Sequence, residues 1–109
     1  MLDLDEASNA FAAIGSAPRL AIVLSLVRAG HRGLSTGAIQ ERVNIPASTL
    51  SHHIRFLSAA GLISQEKQGR TITCRATFDR IENLADFLLN ECCLDAAPAT
   101  GEEDLNGQS

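Results

Sequence analysis

The stretch IPASTLSHHIRFLSAAGLI, residues 45–63, decides the fold. A turn containing Pro46 opens a helix whose first two turns carry Ser48, Thr49, Ser51, His52 and Arg55. Leu50, Ile54 and Leu57 recur at i, i+4 and i+7, the stripe with which a helix packs onto a core. Ala59, Ala60 and Gly61 end it, the glycine standing where a left-handed C-cap is needed. Short hydroxyl and imidazole side chains gathered at a helix N-terminus suit contact with base edges and phosphates. An ordinary amphipathic helix with polar residues in water fits the same pattern, so the flanks decide.

Upstream, Leu34 to Val43 reads as a short helix with Ser35 as N-cap and Ala38, Ile39 and Val43 inward. Asn44-Ile45-Pro46 is a three-residue turn, so the pair is a helix-turn-helix. Downstream, two β-prone runs flank Gln68-Gly69, predicting a hairpin. A helix-turn-helix followed by a basic hairpin is the winged arrangement. Its second helix enters the major groove, and the hairpin tip reaches flanking backbone or minor groove. The expected DNA-contact set is Pro46, Ala47, Ser48, Thr49, Ser51, His52 and Arg55 on the helix, with Lys67, Gln68 and Arg70 on the wing.

The wider pattern predicts five helices: α1 over 4–14, α2 over 18–29, α3 over 36–42, α4 over 47–60 and α5 from 78 or 79 to 93. Wing strands are expected over 63–67 and 70–76. With Leu20, Ile22, Val23, Leu24, Leu26 and Val27, α2 is apolar nearly all round and reads as the buried centre. Ile81, Leu84, Ala85, Leu88 and Leu89 give α5 one broad apolar face, and α1 offers Ala10, Phe11, Ala13 and Ile14. The expected fold is mainly α with a small β-hairpin. Residues 1–94 form one domain, and residues 95–109 form an acidic, disordered tail poor in burial-capable side chains.

A net charge of −4 in 109 residues looks wrong for a DNA binder. Its distribution resolves this. Asp3, Asp5 and Glu6, with Asp95, Glu102, Glu103 and Asp104, are read as lying outside the folded part. Residues 42–80 hold six basic groups (Arg42, Arg55, Lys67, Arg70, Arg75, Arg80) against Glu66 and Asp79, a local +4. That is the footprint phosphate binding requires.

The chain resembles the ArsR/SmtB family of winged helix-turn-helix repressors. The matching residues are Phe11 to Ile22, then Ser48-Thr49-Leu50-Ser51-His52-His53-Ile54, then Leu57 with Ala60-Gly61-Leu62-Ile63, and Lys67-Gln68-Gly69-Arg70. They span roughly residues 7–93. Ala17 stands where the family usually has proline, with Pro18 one place later, and Pro46 where many members have a serine N-cap; proline suits a first helical turn. The resemblance implies a repressor on double-stranded operator DNA, homodimeric through α1 and α5. Two copies would then present two recognition helices to successive major grooves.

Cys92-Cys93, at the expected end of α5, is the second informative feature. Neighbours on a regular helix point about 100° apart and converge only where the last turn frays. A disulfide between adjacent residues closes a strained ring, whereas a soft metalloid takes thiolates readily. Trivalent arsenic or antimony prefers three sulfurs, and a methylated arsenic(III) needs only two. Cys74, on the second wing strand, is the one other cysteine, and the sequence leaves open whether it is a third ligand. Some arsenic-responsive relatives carry an adjacent pair on the C-terminal helix, and the resemblance implies that arsenite, methylated arsenic(III) or antimonite is the inducer. A thiol-based redox or reactive-sulfur sensor on the same fold is the alternative, and two small semi-buried residues at a dimer seam would also place cysteines there.

No histidine follows His53, so a zinc site on α5 is not expected. His52 is expected to face DNA and His53 to pack or cap. There is no Gly-rich phosphate loop and no nucleophile–base set, which disfavours an enzyme. No cofactor is expected for folding. The absence of a long apolar run or leader pattern, with an odd cysteine count, gives the expectation of a cytoplasmic protein without membrane association.

Overall fold

The computed structural model describes residues 2–96; the residues 97–109 of the expected tail lie outside them. The element order is α1 (Leu4–Ile14), α2 (Ala17–Ala29), a single 3-10 turn (Gly30–Arg32), β1 (Leu34–Ser35), α3 (Thr36–Val43), α4 (Ala47–Ala59), β2 (Ile63–Gln68), β3 (Thr71–Ala76) and α5 (Phe78–Leu89). This is the winged helix-turn-helix, with a third strand that the sequence did not announce. β1 pairs antiparallel with β3 (Leu34 opposite Cys74, Ser35 opposite Thr73), so the sheet order is β1-β3-β2. Ser35 still caps α3, its Oγ accepting from the Ala38 amide at 3.1 Å. Gly33 makes this pairing possible. Its φ is +74°, and a Cβ there would collide with the Cys74 carbonyl oxygen.

The core joins the five helices and the wing: Ala7, Ala10 and Ala13 of α1, Ile22, Val23 and Leu26 of α2, Ile39 of α3, Leu50, Ile54 and Leu57 of α4, then Leu62, Ile63 of β2, Cys74 of β3 and Leu84 of α5. Small alanines on α1 let that helix lie close to its neighbours. Three expectations are corrected. The first concerns α2, which is not buried all round: Leu20, Leu24 and Val27, spaced i, i+4, i+7, are 42 %, 40 % and 36 % exposed. The helix buries one side, and none of the described residues covers the other.

The acidic N-terminus is the second correction, for it belongs to the fold. Leu2 is buried; Asp3 and Glu6 form a reciprocal capping box, with the Asp3 carboxylate accepting from the Glu6 amide at 2.8 Å. Their charges therefore serve α1's positive end.

α5 also stops early, at Leu89 instead of Cys93. Its last turn has no basic residue to offset the negative helix end, and Asp86 and Glu91 worsen the field there. Asn90, Cys92, Cys93 and Asp95 are poor helix formers. The chain continues as tight turns, Glu91 N–H to Leu88 and Cys92 N–H to Leu89, and Cys93 adopts a left-handed φ of 63°. Among the described residues no single helix is long and apolar enough to cross a membrane.

Candidate nucleic-acid interface and thiol pair

α3 ends at Val43, Asn44 turns left-handed (φ 55°, ψ 53°), and Ile45-Pro46 leads into α4. Pro46 is extended and offers no side-chain cap, so the first amide donors of α4 are left without an intrahelical or side-chain acceptor. The helix buries Leu50, Ile54 and Leu57. Ala47, Ser48, Thr49, Ser51, His52 and Arg55 are all exposed, as is Pro46. Lys67, Gln68 and Arg70 are exposed at the wing, where Gly69 turns with φ +63°. Every expected DNA-contact residue is thus solvent-facing. The Gln65 amide donates to Ser58 Oγ at 3.2 Å, tying β2 to α4.

The basic face is smaller than the sequence suggests. The Arg75 guanidinium lies 2.6 Å from the Glu66 carboxylate, holding that carboxyl below its ordinary range, and also donates to the His31 carbonyl at 3.1 Å. The guanidinium of Arg80 packs over Gly61. His31, to which the sequence assigned no role, meets Phe78 edge-on with ring centroids 4.9 Å apart, fixing the start of α5.

Between α3, α4 and the wing runs a groove of about 270 Å³ lined in part by Thr36, Gln40, Ser51, Arg55 and Gln65. Thr36, Gln40 and Gln65 were not expected at the interface, since only the packing of three elements brings them beside Ser51. His53 is half-buried on α4's other side. Its Nδ1 is covered and unbonded, and burial first, then Arg19 and His52, lowers its pKa.

Cys92 and Cys93 are both exposed, and their Sγ atoms are 3.3 Å apart. The turn after α5 brings the thiols together where a regular helix would separate them. The hydrogen bond to Cys93 and then its charge raise the Cys92 pKa. Cys74 is elsewhere. It is fully buried in the sheet core, and burial raises its pKa. Among the described residues no three His, Cys, Asp or Glu side chains converge as metal ligands.

A helix-turn-helix domain model matches residues 15–66. The HTH-type transcriptional repressor SmtB of Mycobacterium tuberculosis is 32 % identical over 102 residues, covering 94 % of this chain and 67 % of its own. An ArsR-like transcriptional regulator from Rhodococcus sp. RHA1 superposes with a TM-score of 0.68 at 27 % identity, covering 79 % of this chain and 78 % of its own. A homodimeric winged helix-turn-helix DNA-binding domain from Mycobacterium bovis, a possible ArsR-family regulator, shares the fold with a TM-score of 0.65 at 23 % identity, covering 81 % and 82 %. With the capless recognition helix, the wing and these relatives in view, the chain belongs to the ArsR/SmtB family of winged helix-turn-helix transcriptional regulators.

Proposed function

We propose that the protein is a repressor that binds operator DNA as a homodimer through α1 and α5, and leaves it when a trivalent arsenic or antimony species binds Cys92 and Cys93. The observation that carries this is the pair of exposed thiols with sulfurs 3.3 Å apart. A trivalent arsenical with two hydroxyls and one carbon substituent bonds two thiols and releases two waters, the thiol protons leaving with the hydroxyls. Its coordination is then complete. Arsenite bound the same way keeps one hydroxyl and lacks a third sulfur, because Cys74 is sealed in the core. The site therefore favours a methylated or other organic arsenic(III).

The dimer is supported by what one copy leaves bare. Leu4 on α1, Leu88 and Leu89 on α5, and the Leu20, Leu24, Val27 stripe on α2 are large apolar side chains at the surface. Bridging Cys92 and Cys93 locks the turn that follows Leu88 and Leu89, altering how those leucines meet a partner. Taking repression from nearly complete to nearly absent needs a preference of about 5.5 kcal/mol for the released state. The DNA-binding unit is residues 1–94, so a chain ended after Asp95 should keep its melting temperature and operator affinity.

The test is release of operator DNA under arsenite, methylarsenic(III), antimonite, zinc and peroxide. Methylarsenic(III) should release the parent protein but neither Cys92→Ser nor Cys93→Ser, while Cys74→Ser responds as the parent does. Release of both single variants refutes the thiol site. Release by peroxide alone would make the pair a redox sensor.

A further inference from the structure

α1 and α4 face one another with small residues: Ala12 on one side, Ala59 and Ala60 on the other. None of the described residues fills the space between, and a trough of about 460 Å³ remains, bounded by Phe56, Asn9, His52 and Arg55. Its surface is chiefly apolar. Phe56 is 45 % exposed, with the Arg19 guanidinium against its ring. The volume lies within the roughly 300–1,000 Å³ of small-molecule sites.

Among the described residues, the ionisable groups lining the trough are Arg55 and His52, with no carboxylate among them. An adjoining cleft of about 220 Å³ shares Asn9, Ala59 and Ala60 and adds Gly61, Arg80 and Glu6. There the Glu6 carboxylate is already engaged by the Asp3 amide at 3.1 Å. An apolar floor with the guanidiniums of Arg55 and Arg80 at its margins selects an apolar body carrying negative charge and rejects a cation.

We infer that this trough binds a small organic acid, its hydrocarbon body on Ala12, Phe56 and Ala59 and its carboxylate at Arg55 and His52. Arg55 and His52 also belong to the DNA-contact set, so the acid and the operator compete for the same two side chains. By reciprocity, operator DNA weakens the acid as much as the acid weakens operator binding. This input is separate from the thiol pair. It gives the regulator a second effector, read directly at the recognition helix.

The full-length protein would be titrated with sodium octanoate, 1-octanol and octylammonium chloride, following backbone amide shifts and operator affinity. Octanoate should produce saturable shifts at Ala12, Phe56 and Ala59, bind at least tenfold more tightly than octanol, and weaken operator binding. Octylammonium should give no saturable shift there. Ala12→Phe fills the trough and should bind operator normally while losing the octanoate effect; Arg55→Gln, read by shifts alone, should bind octanoate about tenfold more weakly. The Cys92→Ser, Cys93→Ser double variant should respond to octanoate as the parent does, which separates this site from the arsenical one. Saturable shifts elsewhere, equal binding of octylammonium, or undiminished octanoate binding in both trough variants would overturn the assignment. So would a trough that gives no shift because a second copy of the chain covers it.

Discussion

The guanidinium of Arg19 lies over the ring of Phe56, 4.5 Å from its centroid, and joins three helices. From the first turn of α2 it donates to the Ala13 and Ala12 carbonyls at the end of α1, while its flat face covers a side chain of α4. Carbonyls at a helix end have no partner of their own, and a planar cation satisfies them and the ring together. Arg19→Ala should lower stability by about 1–2 kcal/mol, since the ring is uncovered and the Ala13 carbonyl loses its Arg19 donor, while the Ala12 carbonyl keeps the Gly15 amide. Arg19→Lys keeps the charge but not the fork, and should recover less than half of that in chemical denaturation. Full recovery by lysine would show that only charge matters.

His53 predicts an acid sensitivity. Burial, Arg19 and His52 all lower its pKa, so the folded chain binds this proton less readily than the unfolded chain, whose histidine titrates near 6.5. The stability it permits is fully present above about pH 6.5 and falls as the pH drops below that value. Melting temperatures on either side should show the fall, and His53→Gln should flatten it. Because Arg19 is one cause, Arg19→Ala should raise the His53 pKa in an NMR titration. An unchanged titration would show that Arg19 does not act on this imidazole.

Arg55 and Arg70 are exposed on α4 and beside the wing turn and carry no ion pair among the described residues. Removing one phosphate-binding cation should flatten the dependence of log affinity on log salt by about 0.9. Arg70→Ala should therefore weaken binding to all sequences alike. Changes at Ser48, Thr49 or His52 should cost about 1–3 kcal/mol and relax base preference. A double variant Arg55→Ala, Arg70→Ala with parental salt dependence would displace the interface from this face.

Gly33 and Gly30 share a φ of 74°, yet only Gly33 is crowded. An added Cβ at Gly33 would come within 2.7 Å of Arg75 Cγ and strike the Cys74 carbonyl, while at Gly30 nothing lies within 4 Å. Gly30→Ala should cost about 1–3 kcal/mol of backbone strain. Gly33→Ala should cost more, because β1 must then leave β3. Equal melting temperatures for the two would show that the β1 pairing is dispensable.

Alkylation should separate the cysteines. Mass spectrometry of the folded protein after iodoacetamide should show two additions, at Cys92 and Cys93, with the third at Cys74 only on unfolding. Since Cys93 raises the Cys92 pKa, it holds back the Cys92 thiolate that alkylation requires. Cys93→Ser should therefore speed alkylation of Cys92 near pH 7. A slower reaction would contradict the sulfur–sulfur contact.

The helix-turn-helix, the wing and the solvent-exposed polar face of α4 were legible in the chain alone. Those features are local: the Leu50, Ile54, Leu57 stripe, the Ser35 cap, the Asn44-Ile45-Pro46 turn and the Gln68-Gly69 hairpin each rest on residues a few positions apart. The bounds of α1 were legible too, but the Asp3–Glu6 capping box at its start, although equally local, reads in the chain as charge outside the fold. Tertiary structure decided what depends on distant partners. β1 exists because Gly33 lets residue 34 reach residue 74. The uncovered side of α2, the three-helix reach of Arg19 and the apolar trough depend on which helix faces which, and periodicity cannot tell two apolar sides apart. The cysteines show the division most plainly. Their adjacency was visible in the chain, but only the turn after Leu89 brings their sulfurs together, and only the packing of the sheet seals Cys74 away from them.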